Sequence, residues 1–479
     1  MFWELENIDP NSTALIDAST NRILTYGELL KRCNQFNGIL KLEKKKLVFL
    51  FCDNSVESII AYITILRSGN SVYLANNRMD NLLKKDLINI YNPEIIISKD
   101  ELTTVIDNYL KSETNLDLIY YHSKYFDKYP PPNKDLAVLL STSGTTGSPK
   151  LVKLSYKNIQ SNAASIASYL YLNENEKPFT SLPISYSYGL SVINSHLLKG
   201  AKIVCSNQSM VTREFWNTFN NFGCTSFAGV PYNYQILKRL KFESMEMPSL
   251  KTMTQAGGRL SEPLIKYFYE SSLKKGIKFF VMYGQTEATA RISYVPFESL
   301  GSKISSIGKS IPRGKIKLYS GDHEIKEPGV EGELVYYGDN VMMGYANNRD
   351  DIVKGDELKG ILRTGDLAYK DEDEYYFITG RLKRFIKLFG LRINLDEIEK
   401  MIENKFNVSA ACFGNDDELK VLLQSIEPSI LFEVKNLIIN TYNIHHSFVS
   451  VKCTESMPHN SLGKKDYKLI QKLEYNEHN

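Results

Sequence analysis

Ser141-Thr-Ser-Gly-Thr-Thr-Gly-Ser-Pro-Lys150 packs hydroxyl residues, two glycines and a lysine into ten positions. It follows the apolar run Leu136-Ala-Val-Leu-Leu140, which has the composition of a buried strand, and it precedes a helix-like segment. Gly144 and Gly147 allow turns that other residues resist, so backbone N–H groups can converge on an anion. Thr142, Ser143, Thr145, Thr146 and Ser148 supply hydroxyl donors, and Lys150 supplies a cation. Together these residues form a cradle for a polyphosphate. The stretch differs from a Walker A loop, because Pro149 precedes the lysine and no Gly-Lys-Ser/Thr follows.

Outward from that loop, strand-like runs such as Lys46-Leu-Val-Phe-Leu-Phe51, Glu94-Ile-Ile-Ile-Ser98 and Lys278-Phe-Phe-Val-Met282 alternate with amphipathic, helix-like runs. This alternation predicts an α/β fold of layered, largely parallel sheets. From Gly332 onward the strands shorten and the turns crowd together, which predicts a small β-rich, barrel-like part. A basic stretch near Lys383 then precedes the helix-like Leu395-Asp-Glu-Ile-Glu-Lys-Met-Ile402. The expected organisation is a large N-terminal domain over 1–382 and a small α+β C-terminal domain over 383–479.

Composition narrows the function. A chain of 479 residues with 43% hydrophobic content can bury more than one core. Its net charge of +3 comes from dispersed lysines and gives no footprint for nucleic acid. The six cysteines show neither CxxC nor CxxH spacing, so they read as reduced thiols of a cytoplasmic protein. The acidic N-terminus lacks the basic start and apolar core of a signal peptide. No run approaches the roughly 18 apolar residues of a membrane span.

Further motifs follow the loop in order: Tyr283-Gly-Gln-Thr-Glu287, Arg363-Thr-Gly-Asp366, Gly380-Arg-Leu-Lys383 and Gly463-Lys464. Their order and spacing resemble the adenylate-forming superfamily of acyl-CoA synthetases, amino-acid adenylation domains and beetle luciferases. The resemblance covers almost the whole chain. It implies that a carboxylate attacks the α-phosphate of ATP, releases pyrophosphate, and is then captured as a thioester. It also implies a mobile C-terminal domain that turns about Lys383.

By that resemblance Thr286 and Lys464 would act on the reacting carboxylate and α-phosphate, and Glu287 would ligate Mg2+. Tyr283 and Gly284 would lie along the adenine, with Gly257 and Gly258 at its edge. Asp366 would hold the ribose hydroxyls, and Arg381 would contact ribose or phosphate. Gly390 would line a tunnel for the incoming thiol. Lys465 is the competing register for Lys464, and Arg259 reads as a solvated arginine.

Leu182-Pro-Ile-Ser-Tyr-Ser-Tyr-Gly189 corresponds to the acid-pocket motif. Amino-acid adenylation domains present Phe-Asp there, and the aspartate pairs with the substrate ammonium. This chain has Tyr186 and Ser187, so an ammonium would lack its counterion. The expected substrate is a non-amino carboxylic acid, fatty or hydroxylated, in a pocket narrowed by Tyr186, Tyr188 and Tyr232. A stand-alone amino-acid adenylating enzyme is the alternative. With no carrier segment after the small domain, the expected acceptor is CoA or the phosphopantetheine of a separate acyl carrier protein.

Overall fold

The computed structural model describes residues 1–40, 44–102, 108–113, 117–125, 128–141, 150–382, 384–388, 391–415, 418–425, 427, 429–442, 444–460 and 463–475. The predicted phosphate-loop residues Thr142, Ser143, Gly144, Thr145, Thr146 and Gly147, the hinge Lys383 and the tunnel residue Gly390 lie outside the described residues.

The fold is mixed α/β, as the alternation of periods predicts. An eight-stranded sheet runs in the order Gly344–Ala346, Leu151–Ser155, Leu136–Ser141, Ser71–Asn76, Leu47–Cys52, Ile95–Ser98, Ile119–Ser123 and Tyr109–Glu113. Its four central strands, from Leu136–Ser141 to Ile95–Ser98, are parallel and almost wholly buried. That burial on both faces is why they read as continuous apolar runs rather than alternating ones.

One local expectation is corrected. The stretch after Ser141 leads first into a strand, and only then into the helix Tyr156–Tyr169. Leu151–Ser155 pairs antiparallel with Leu136–Ser141, with Ser141 opposite Leu151. Lys153 concealed this strand in the sequence. Its ammonium is buried but accepted by Glu357, at 3.0 Å, and by the Asp351 carbonyl, at 3.1 Å. The helix begins at Ser155, whose side chain accepts from Asn158 N while the Asn158 side chain accepts from Ser155 N.

A second sheet begins with three parallel strands, Ser226–Gly229, Thr252–Gln255 and Lys278–Tyr283. Two short antiparallel strands, Ser293–Tyr294 and Lys309–Ser310, extend it. The loops after the three parallel strands carry Val230, Gly257 and Gly284–Glu287, so the motifs gather at the carboxyl ends of the strands. Open α/β sheets bind ligands at that edge.

The β-rich part is not the barrel-like unit expected but an open five-stranded antiparallel sheet, ordered His323–Ile325, Lys315–Ser320, Gly332–Tyr337, Ile361–Lys370 and Tyr376–Arg381, whose first and last strands do not pair with each other. Its last pairing sets Asp366 opposite Arg381. Beyond Arg384, the sheet of Ala410–Gly414, Leu419–Gln424 and Val449–Thr454 packs with the helices Leu395–Phe406 and Ser429–Tyr442. The apolar clusters here draw their buried members only from Ile386 onward. Among the described residues no helix is long and apolar enough to cross a membrane.

Candidate active site

A cleft of about 1490 Å³ opens at the carboxyl ends of the second sheet's parallel strands. Tyr283, Thr286, Glu287, Asp366, Arg381 and Lys464 all line it. Segments separated by up to 181 residues thus meet in one cavity, and each arrives for a local reason.

Lys278–Tyr283 delivers Tyr283, and the chain then turns sharply. Gly284 lies against the carbonyl of Ala290, so a Cβ at position 284 would collide with backbone. The Tyr283 hydroxyl donates to Asp366 Oδ2. Gln285 Nε2 donates to the same oxygen at 2.9 Å and to the Thr364 carbonyl at 3.2 Å. Arg381 Nε donates to Asp366 Oδ1 at 2.9 Å. Both oxygens of this buried carboxylate are therefore held by donors. Burial and the adjacent Asp366 raise the Tyr283 phenol well above its ordinary value, and the Asp366 charge raises Arg381.

Glu287 Oε1 accepts the Tyr345 hydroxyl at 2.9 Å. The same Tyr345 ring carries Lys150 on its face, with Nζ 3.3 Å from the centroid. Tyr345 thus links the end of the phosphate-loop stretch to the predicted metal ligand. Thr286 Oγ1 lies 3.2 Å from Ser187 Oγ, which joins the predicted acid-pocket motif to the predicted catalytic residue Thr286.

Lys464 follows Gly463, whose φ of 72° is in the left-handed region, and its backbone N–H donates to Asn460 Oδ1 at 3.1 Å. Its ammonium lies 5.9 Å from the Tyr186 ring centroid. Burial lowers the Lys464 pKa, and Arg381 adds to this, while Glu287 and Asp366 oppose it. Lys465 points elsewhere: its ammonium is 2.6 Å from Glu403 and 3.4 Å from Glu399.

The predicted pocket residues fall into two groups. Tyr186 and Tyr188 are buried, with ring centroids 6.3 Å apart, and burial pushes the Tyr186 phenol up to about 12. The Tyr188 hydroxyl is used by the Thr254 carbonyl at 2.8 Å, so Tyr188 offers its ring rather than its hydroxyl. Tyr232 is 40% exposed and lies in the outer cleft, 5.2 Å from the His459 ring. Gly257 has a φ of 83° and faces the Tyr186 hydroxyl, which leaves no room for a side chain. Gly258 is exposed against Pro231, and Arg259 is exposed, 4.0 Å from Glu262.

Three residues of the region escape the sequence reading. Gln285 sits inside a quoted motif, but its link to Asp366 spans 81 residues. Tyr345 and Arg291 have no sequence signal, because their significance lies in what surrounds them.

Similarity to known proteins shows the family and the fold. The model of the AMP-binding enzyme family matches residues 2–346. A probable CoA ligase of Humulus lupulus is 26% identical over 430 residues, covering 83% of this chain and 77% of that protein. A 2-succinylbenzoate–CoA ligase of Staphylococcus epidermidis is 25% identical over 496 residues, 99% of this chain and 98% of that one. The fold matches that of O-succinylbenzoate coenzyme A synthetase from Bacillus subtilis, solved with ATP and magnesium ion, at a TM-score of 0.75 and 22% identity over 97% of each chain. The chain belongs to the AMP-binding enzyme family, and its chemistry is that of an ATP-dependent, AMP-forming acid–thiol ligase.

Proposed function

We propose that the protein activates a non-amino carboxylic acid at this cleft and passes the acyl group to the thiol of CoA or of a separate carrier protein. The observation that carries the reading is the convergence of Thr286, Glu287, Asp366 and Lys464 on one cavity. In the first half-reaction a carboxylate oxygen bonds to the α-phosphorus of ATP, and the bond to the departing pyrophosphate breaks. Two anions must approach, so cations and fixed donors are needed where charge gathers. Lys464 supplies an ammonium, and Thr286 supplies a hydroxyl. Asp366 is placed to accept the ribose hydroxyls by exchanging its present donors for them. Tyr283, Gly284, Gly257 and Gly258 form the surface for the base.

The donor set fits Mg2+. Glu287 presents a hard oxygen, and among the described residues no group of three or more His, Cys, Asp or Glu is arranged to hold a metal. One carboxylate supplemented by phosphate oxygens and water is the ordinary arrangement for this ion, which would neutralise phosphate charge when bound.

The second half-reaction needs a path for the thiol, and a division at Lys383 with rotation of 383–479 is the proposed means. Apolar clusters formed only from Ile386 onward support this division. The six free thiols support a cytoplasmic setting.

The test is acid-dependent pyrophosphate release with ATP and Mg2+ across mono- and dicarboxylic, hydroxy, aryl and amino acids. Release with a non-amino acid, followed by thioester formation on adding CoA or a carrier protein, is the expected outcome. Release only with amino acids would replace this reading by amino-acid adenylation, and release with no acid would remove it.

A further inference from the structure

Arg291 is a buried cation to which the reaction as described assigns no task. The residue is 2% exposed. Its Nη1 makes a long contact, 3.4 Å, with the carbonyl of the preceding residue, Ala290, and the side chain also hydrogen-bonds the Tyr169 hydroxyl. Its Nε is buried without an acceptor. Its guanidinium carbon lies 4.0 Å from the centroid of Tyr188, over the ring face. Among the described residues no carboxylate pairs with it.

Arg349 provides the internal contrast. It is 4% exposed and forms a two-pronged pair with Glu94, at 2.6 and 3.2 Å. That is the usual condition of a buried arginine, because desolvating a cation is costly unless an anion replaces the lost water. For Arg291 the Tyr188 ring face and the neutral Tyr169 hydroxyl offset part of that cost, and its charge is left without an anion among the described residues.

The backbone holds Arg291 in this position by force. Thr289 and Ala290 have φ of 53° and 97°, an unfavourable region for residues with a Cβ. Asn340 clamps the turn: its Nδ2 donates to the carbonyls of Ala288, at 2.7 Å, and Arg291, at 2.8 Å. Its own carbonyl accepts the Thr289 hydroxyl at 2.6 Å. The turn begins directly after Thr286 and Glu287, so its geometry sets Arg291 relative to the reaction centre.

The surroundings give the direction. Lys464 faces Tyr186, Tyr186 neighbours Tyr188, and Tyr188 carries Arg291. This succession of side-chain contacts runs from Lys464, which lines the cleft, to Arg291. We infer that the substrate is a dicarboxylic acid, one carboxylate of which is adenylated while the other pairs with the Arg291 guanidinium. This rests on the acid-activating reading above and puts a diacid in place of the fatty or hydroxylated acid expected from the sequence. A hydroxyl or carbonyl at the far end would accept hydrogen bonds but leave the buried charge uncompensated. The product is a mono-acyl adenylate, and then a mono-thioester, that keeps one free carboxylate.

The test compares malonic, succinic, glutaric and adipic acids with their half-amides and with monocarboxylic acids of equal length, in the full-length enzyme. Pyrophosphate release reports activation, and the rise in melting temperature reports binding without ATP. We expect at least one diacid to exceed its half-amide about a hundredfold or more in kcat/KM, the discrimination of a site left with an unpaired polar group. Arg291→Met should abolish that ratio, and Arg291→Lys should restore part of it. Preference for the half-amide or the monocarboxylic acid in the unaltered enzyme would overturn the inference without requiring any variant. So would a diacid preference that survives in Arg291→Met. Binding of a diacid that depends on Arg291, with no pyrophosphate release, would uphold this site and defeat the ligase reading. Neither binding nor release with any diacid would overturn the inference, while release with another acid would leave the ligase reading standing.

Discussion

Lys464 and Lys465 share a peptide bond and point into different environments. The Lys464 ammonium lies 5.9 Å from the Tyr186 ring at the cleft, while that of Lys465 is 2.6 Å from Glu403 among charges of the C-terminal segment. The same segment ties Glu399 to Arg384 at 2.7 Å and to the Tyr467 hydroxyl at 2.8 Å.

The two lysines should therefore fail differently when replaced. Lys464→Ala should slow adenylation about a hundredfold or more, equivalent to roughly 2.7 kcal/mol, while the protein stays folded and still forms thioester from supplied acyl-adenylate. Lys465→Met should instead lower stability by about 3–5 kcal/mol, because Glu399 and Glu403 lose a buried partner. Denaturant unfolding beside pyrophosphate release measures both. Loss of stability in Lys464→Ala with unchanged adenylation would reverse the assignment.

The depressed pKa of Lys464 sets a pH dependence. Its cause is burial, aided by Arg381. The cation is the working form, so activity is present at low and neutral pH and is lost as pH rises through this lowered pKa. The alkaline limb of kcat/KM should fall below the ordinary lysine value of about 10.4. Bound ATP favours the ammonium and should move the limb of kcat upward. Lys464→Arg should remove the limb, because a guanidinium keeps its proton. An unchanged limb in that variant would assign it to another group.

Tyr345 holds Glu287 through a hydrogen bond of 2.9 Å. Tyr345→Phe keeps the ring under Lys150 and removes only the donor. The Mg2+ concentration for half-maximal adenylation should rise about tenfold, the usual effect of losing a partner that orients a ligand. Titration of Mg2+ at saturating ATP measures it, and an unaltered requirement would mean that Tyr345 does not orient the carboxylate.

Gly257 occupies a left-handed conformation facing the Tyr186 hydroxyl. Gly257→Ala should cost about 1–2 kcal/mol of stability from backbone strain alone. By displacing Tyr186 it should also raise KM for the acid. If KM stays constant while stability falls, Gly257 serves only the turn.

Much of this molecule is legible in its residues, and the limits have a physical pattern. Period-2 and period-3.6 patterns are local properties of a chain, so alternating strands and helices and the order of the motifs can be read directly. Leu151–Ser155 escaped that reading because Lys153 interrupts its apolar run, and the acceptors that make the lysine tolerable inside, the Asp351 carbonyl and Glu357, lie 198 and 204 residues away. Tyr232 sits apart from Tyr186 and Tyr188 because a tyrosine reads alike in a pocket wall and at a cleft mouth.

Residue order alone carries the α/β class, the motif set around Tyr283, Glu287, Asp366 and Lys464, and the absence of an aspartate at Tyr186-Ser187. Those features depend on residue type and spacing. The folded chain decides which of two adjacent lysines lies by Tyr186 and which by Glu399 and Glu403, that Tyr345 supports Glu287, and that Arg291 lies buried on Tyr188 without a carboxylate among the described residues. Such facts depend on burial and on partners distant in the chain, and neither is encoded at the residue itself.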